Sequence, residues 1–215
     1  GERVTAPDPN ADRLRRAVAA IDRLQRWVDE LEGAAREPIA VCGTSCRFPG
    51  GANDPAAYWA LLRAGADAVV EIPPDRWDAD AWYDPDPEVP GKMYAKWGGF
   101  LKDVDVRAFD PLFFGITPRE AEEMDPQQRL LLELAWEALE DAGQPAGGLA
   151  GSRTGVFVGI CTNDYSNLSP RDARIERINS YTGTGNSDSV AAGRISYLLG
   201  FEGPNLAVDT SCSSS

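Results

Sequence analysis

From Leu14 the apolar positions fall at Leu14, Ala17, Ile21, Leu24, Val28 and Leu31, in alternating steps of three and four. This is the a/d seam of a coiled coil, and it predicts a helix over residues 13–33. Gly33 is expected to end that helix and Pro38 to prevent its resumption. Residues 1–12 carry Pro7, Pro9 and Asn10 without periodicity and read as a flexible lead-in. At about two and a half heptads the helix is marginal on its own in water, so it wants a partner. It could lie on its own domain or form a parallel dimer that recruits another polypeptide. The Gly33 to Pro38 break and the charged outer faces (Arg13, Arg15, Arg16, Arg23, Arg26, Asp29, Glu30) favour the second.

The pattern then changes. Ile39 to Gly43 reads as a short strand, followed by a helix capped by Asp54, with Pro55 in its first turn and Gly65 at its end. Residues 67–122 form a long connection rich in Pro, Asp and Trp. Trp77, Trp82 and Trp97 predict an ordered excursion rather than a free loop. Met93, Tyr94 and Trp97 could line an apolar pocket, although loop packing explains them equally well. Asp84 and Asp86 lack the ligand spacing of a calcium loop and are read as turn residues.

Asp125 and Pro126 open the strongest helix, with Gln128 placed for a capping box and Leu130, Leu131, Leu134, Ala135, Ala138 and Leu139 as its buried stripe. Thr154 to Ile160 is a strand apolar on both faces, as in the middle of a covered sheet. Ser189 to Leu199 is a further helix ended by Gly200, and Leu206 to Thr210 a second buried strand. Strands alternating with helices give an α/β layered domain over 37–215.

Composition narrows the chemistry. The chain has 215 residues, 21 basic against 34 acidic, and a net charge of −13. A general nucleic-acid binder is therefore disfavoured, and any anionic partner must find a local basic patch. No apolar run is long enough to span a membrane and the N-terminus lacks a secretory core, which makes the cytoplasm the expected location. Cys42, Cys46, Cys161 and Cys212 are too few and too uneven for a disulfide framework, and are expected to be reduced thiols. Cys42, Cys46 and Cys161 read as small buried residues. With no His, a Cys-His or Ser-His-Asp centre cannot be completed within these residues, and no metal site is expected. Thr182-Gly183-Thr184-Gly185-Asn186 lacks the Lys of a phosphate loop and reads as a turn.

Cys212 is the residue with chemistry. It follows a strand directly, and Ser213-Ser214-Ser215 are small enough to carry the chain through a sharp turn into a helix. A thiol at a helix start would meet unsatisfied N–H groups that favour its anion. Val208-Asp209-Thr210-Ser211-Cys212-Ser213-Ser214-Ser215 closely resembles the active-site signature of polyketide ketosynthases, Asp-Thr-Ala-Cys-Ser-Ser, with Ser211 where Ala is usual. Cys46 to Gly51, Phe113 to Ala121, Met124 to Leu132 and Gly193 to Tyr197 resemble further signatures of the same family, in the same order. The N-terminal helix is similar to the docking coiled coil ahead of the first ketosynthase of a modular synthase polypeptide.

The resemblance implies a thiolase-like layered α/β fold, of which this chain holds the first half, and a homodimer. It implies decarboxylative Claisen condensation, with the growing chain held as a thioester on Cys212 and an extender on an acyl carrier protein. The substrates are then phosphopantetheine-linked acyl and malonyl-type thioesters, and no cofactor is bound directly. The backbone N–H of Cys212 would form part of the oxyanion hole. Two histidines and a lysine ordinarily assist, and none of those histidines is in this chain. Loading domains that only decarboxylate often carry Gln at the nucleophile position, so Cys212 favours elongation. The N-terminal helix, through the seam Leu14, Ala17, Ile21, Leu24, Val28 and Leu31, would meet an upstream synthase polypeptide. Two alternatives stand beside this: a non-catalytic docking and dimerisation fragment if the protein ends at Ser215, and another thiolase-fold enzyme, against which the Pro- and Trp-rich loop argues.

Overall fold

The computed structural model describes residues 9–168 and 178–214. The chain divides into two units, Gly1–Val41 and Cys42–Ser215. Helix α1, Pro9–Arg36, dominates the first. It starts ahead of the predicted residue 13 and passes through Gly33, so the predicted stop is corrected. Pro9 falls in the first turn, where its missing N–H costs nothing, and one Gly inside a helix costs only about 0.5–1 kcal/mol. Residues 1–8 of the predicted lead-in lie outside the described residues. The seam is exposed, with Leu14, Ile21, Leu24, Val28 and Leu31 all about half open or more, and Ala17 exposed too. Val18 and Trp27, which the a/d reading leaves out, are equally open and widen the apolar stripe to one side of each turn.

Ile39 to Gly43 is not a strand. Ile39 and Val41 are among the most exposed apolar residues, and no described strand pairs with them. Just beyond, the backbone finds side-chain and helix partners in place of a ladder. The Thr44 N–H donates to Asp141 Oδ2 at 2.8 Å and the Ser45 hydroxyl to the Leu134 carbonyl at 2.7 Å. The Arg47 guanidinium makes a two-pronged pair with Glu137. Gly43 sits so close to this helix that a Cβ would fall 2.2 Å from the Ala138 oxygen.

The second unit opens with α2, Pro55–Ala64, capped by the Asp54 side chain on the Ala57 N–H and closed by Gly65 in the left-handed region, as predicted. The 67–122 connection is ordered. Strands β1, Val69–Glu71, and β2, Trp97–Gly99, pair antiparallel, with the short helix α3, Ala79–Trp82, between them. Lys96 braces it: its ammonium pairs with Glu71 and Asp80, which hold it above the ordinary lysine range, and lies over the Tyr83 and Trp97 rings. Burial of the tryptophans does not supply the order, since Trp77, Trp82 and Trp97 remain about half exposed.

Helix α4, Pro118–Glu123, leads into α5, Pro126–Asp141, and the Asp125 carboxylate caps α5 through the Gln127 N–H. Two expectations for α5 change. Gln128 is buried and does not reach back to the cap, and Leu132 is more buried than any leucine of the predicted stripe. A five-residue helix α6, Thr182–Asn186, stands where a turn was expected, followed by α7, Asp188–Leu199, and its Gly200 cap. Strands β3, Val156–Gly159, and β4, Asn205–Val208, run parallel in register Val156 to Asn205 through Gly159 to Val208. Together with α7 between them they form a β-α-β unit.

One face of this pair builds the core, in which Val158 and Ile160 pack with Met124, Leu132, Ala191, Ala192, Ile195 and Leu199. The other face carries Phe157 and Leu206 and is open, 67% and 51% exposed, so the strands are not covered on both sides as predicted. Among the described residues no helix is long and apolar enough to cross a membrane.

Candidate active site

Cys212 lies just past the C-terminal end of β4, the edge of a parallel α/β sheet where ligands characteristically gather. The Ile160 N–H donates to the Val208 carbonyl at 3.1 Å, carrying the β3–β4 ladder up to the turn. There the backbone reverses sharply. Ser211 has φ +55°, and it is the only non-glycine in the left-handed region among the described residues. That conformation costs a non-glycine residue on the order of 1–2 kcal/mol, so the surroundings must hold it.

The polar side chains around it do so. Asp209 Oδ1 accepts from the Ser211 N–H at 2.9 Å, an Asx-type turn. Ser214 Oγ accepts from the Thr210 N–H at 2.8 Å and donates to the Ser211 carbonyl at 2.9 Å. Ser213 Oγ donates to the Thr210 carbonyl at 2.8 Å. These bonds occupy the N–H groups of Thr210 and Ser211, and successive turns take those of Ser213 and Ser214. The Cys212 N–H is not among them. Thr210, Ser213 and Ser214 brace the turn, and Cys212 at its apex is exposed.

The predicted sharp turn after Cys212 is present through Ser214, and the helix expected to follow it lies outside the described residues. Among the described residues the thiol is presented by a side-chain-braced reversal. Gly159 of β3 backs this reversal, since a Cβ there would meet the Ser214 oxygen at 2.4 Å. Ser211 Oγ stands 3.9 Å from Cys212 Sγ, so the serine that replaces the usual alanine puts a hydroxyl beside the thiol. Asp188, at the start of α7, is pushed above the ordinary aspartate range by burial, with the Asp125 and Asp209 charges adding to it.

The other cysteines are not the small buried residues predicted: Cys42 and Cys161 are exposed. Cys46 is partly buried, and burial pushes its thiol up. Met93 lines a shallow groove with Trp77 and Trp82, and Tyr94 and Trp97 are exposed, so among the described residues these three line no common pocket with Cys212.

Residues 36–215 match the family model described as beta-ketoacyl synthase, N-terminal domain. The chain belongs to the beta-ketoacyl synthase family. Among its relatives, a component of the phenolphthiocerol/phthiocerol polyketide synthase of Mycobacterium tuberculosis is 55% identical over 182 residues, 85% of this chain and 12% of that protein. Pikromycin polyketide synthase component PikAII of Streptomyces venezuelae is 51% identical over 205 residues, 95% of this chain and 5% of that protein. An oxazolomycin ketosynthase domain of Streptomyces albus superposes with a TM-score of 0.73 at 45% identity, covering 81% of this chain and 29% of that one. The ketosynthase from module 6 of the Bacillus subtilis bacillaene synthase gives 0.65 at 40% identity, covering 80% and 26%. This ketosynthase chain thus spans about an eighth or less of the synthases it matches and under a third of the solved domains. It shares their thiolase-like fold, to which it contributes the β3–α7–β4 unit and the helices packed on it.

Proposed function

We propose that the chain supplies the nucleophilic portion of a ketosynthase that elongates polyketides, with Cys212 as the acyl acceptor. The observation that carries this reading is Cys212 itself, exposed at the apex of the Ser211 reversal at the C-terminal end of β4. In the first step the Cys212 sulfur attacks the carbonyl of an acyl thioester on the pantetheine arm of an acyl carrier protein. The carrier thiol leaves with the proton, and the chain becomes a thioester of Cys212. In the second, a malonyl-type extender on a carrier loses CO₂, and its carbon attacks the Cys212 thioester. A carbon–carbon bond forms, the carbon–sulfur bond breaks, and the Cys212 thiol is regenerated. Cysteine suits both steps because its thiolate is nucleophilic near neutral pH and its thioester stays activated for carbon attack. In this reading the Cys212 N–H supplies one donor to the developing oxyanion.

Incubating the full-length protein with an acyl-pantetheine thioester and mapping its peptides by mass spectrometry should show an adduct on Cys212 and none in Cys212→Ala. An adduct that persists in Cys212→Ala, or none in the parent, would reject the assignment. The exposed α1 seam supports a second element of the reading, a homodimeric docking helix that engages an upstream synthase polypeptide. Leu24→Asp is then expected to raise the dimer dissociation constant of the isolated helix at least about tenfold in sedimentation, because a charge at the seam must be buried or the seam must open. In the full-length protein, acylation of Cys212 should be unaffected.

A further inference from the structure

The hydroxyls of the reversal from Thr210 to Ser214 are not used alike. Those of Ser213 and Ser214 are engaged by the turn itself. Ser214 Oγ spans the Thr210 N–H and the Ser211 carbonyl, and Ser213 Oγ stands 2.8 Å from the Thr210 carbonyl and 3.1 Å from Thr210 Oγ1. The Ser211 hydroxyl takes no part in this bracing. Its hydrogen-bonding contact among the described residues is the thiol, with Oγ 3.9 Å from Cys212 Sγ.

The backbone holds the hydroxyl in that place. Ser211 has φ +55°, and every other described residue with positive φ is a glycine. The Ser211 N–H is fixed on Asp209 Oδ1 and its carbonyl on Ser214 Oγ, each at 2.9 Å. With both ends of the residue pinned, only the side-chain torsions are left to turn, so presenting the hydroxyl proton to the sulfur costs little further entropy. A hydroxyl at this position is also the one departure of the Asp209 to Ser214 segment from the signature it resembles, where alanine is usual.

We propose that Ser211 is a catalytic residue, its hydroxyl donating a hydrogen bond to Cys212 Sγ as the acyl–sulfur bond breaks. The proposal rests on the reading of Cys212 as acyl acceptor. When a carbon nucleophile or another thiol attacks the Cys212 thioester, the carbon–sulfur bond breaks and its electron pair goes to Sγ. A thioester sulfur is a poor acceptor and a departing thiolate a strong one, so the bond tightens from acyl-enzyme to transition state. Only an interaction that strengthens in this way accelerates a step. Ser211 keeps its own proton throughout, and the proton that restores the Cys212 thiol is drawn from solvent.

The test follows release alone. Full-length protein is acylated on Cys212 with acyl-pantetheine, freed of the donor and exposed to excess pantetheine, whose thiol takes the acyl group back. Mass spectrometry reads the loss of acyl-Cys212. Ser211→Ala and Ser211→Gly should both slow release, by the same factor of about three to ten, the contribution of a single hydrogen bond. The pair separates hydroxyl from backbone, because glycine relieves the left-handed conformation and alanine keeps it. A role confined to the turn would leave Ser211→Ala at the parent rate and move Ser211→Gly alone. Release at the parent rate in Ser211→Ala, or a loss there that Ser211→Gly recovers, overturns the proposal. Should one variant fail to load, the other decides by the same factor. If the parent itself takes no acyl group onto Cys212, the acceptor reading fails and this proposal falls with it, whereas a parent that loads beside variants that release normally refutes the role of Ser211 alone.

Discussion

Replacing Gly159 by Ala is expected to slow acylation of Cys212 by about 10²-fold, the penalty typical of displacing a reacting group by about an ångström. The added Cβ would stand 2.4 Å from the Ser214 oxygen and 2.9 Å from its carbonyl carbon. Neither atom can swing away like a side-chain tip, because both belong to the backbone of the reversal that presents the thiol. Strand β3 is fixed by its ladder to β4 and by Val158 in the core, so the turn must yield instead. Ser214 Oγ would then lose its place between the Thr210 N–H and the Ser211 carbonyl, and with it the support for Ser211 at φ +55°. Circular dichroism should show the fold retained, while the rate of Cys212 acylation from acyl-pantetheine falls. A Gly159→Ala protein that loads at the parent rate would show that the turn does not depend on this close approach.

Much of this architecture was legible in the sequence, for local reasons. Asp54 and Asp125, each followed by Pro, mark helix starts because the carboxylate caps free N–H groups and Pro lacks one to waste. Gly65 and Gly200 mark ends because they adopt the left-handed conformation without a Cβ penalty. What the sequence concealed depends on partners far along the chain. Gln128 has the spacing of a capping box, yet three carbonyls of the α6–α7 junction compete for its amide and win. Residues Ile39 to Gly43 have strand composition, but a strand needs a ladder, and the backbone beyond is taken by α5. Phe157 and Leu206 read as core because periodicity reports apolarity and not what covers it. At the site, Cys212 was found by its motif, whereas the Gly159 contact and the strained Ser211 have no sequence signal beyond a small residue in each place.

The motifs that carried the resemblance also share a physical origin, and they predict the largest loss of stability. Glu120, Gln128 and Arg194 come from three separate signature segments and meet in one buried network. Arg194, 9% exposed, donates from Nε to Gln128 Oε1 at 3.1 Å and from Nη1 to Glu120. The Gln128 amide in turn donates to the carbonyls of Thr184, Gly185 and Ser187. Helices α4, α5 and α7 are thereby tied together around the strand pair that leads to the Cys212 turn. Arg194→Ala should destabilise the protein by about 3–5 kcal/mol in chemical denaturation, since it strands a largely covered carboxylate and a buried amide oxygen. Glu120→Gln should cost less, because Arg194 keeps Gln128 and a neutral acceptor. In the double variant Glu120→Gln with Arg194→Ala, the losses should fall short of additive by about 1–3 kcal/mol, the mark of residues sharing one network. Strictly additive losses, or a cost for Arg194→Ala below about 1 kcal/mol, would mean that the three motifs are held together by apolar packing alone.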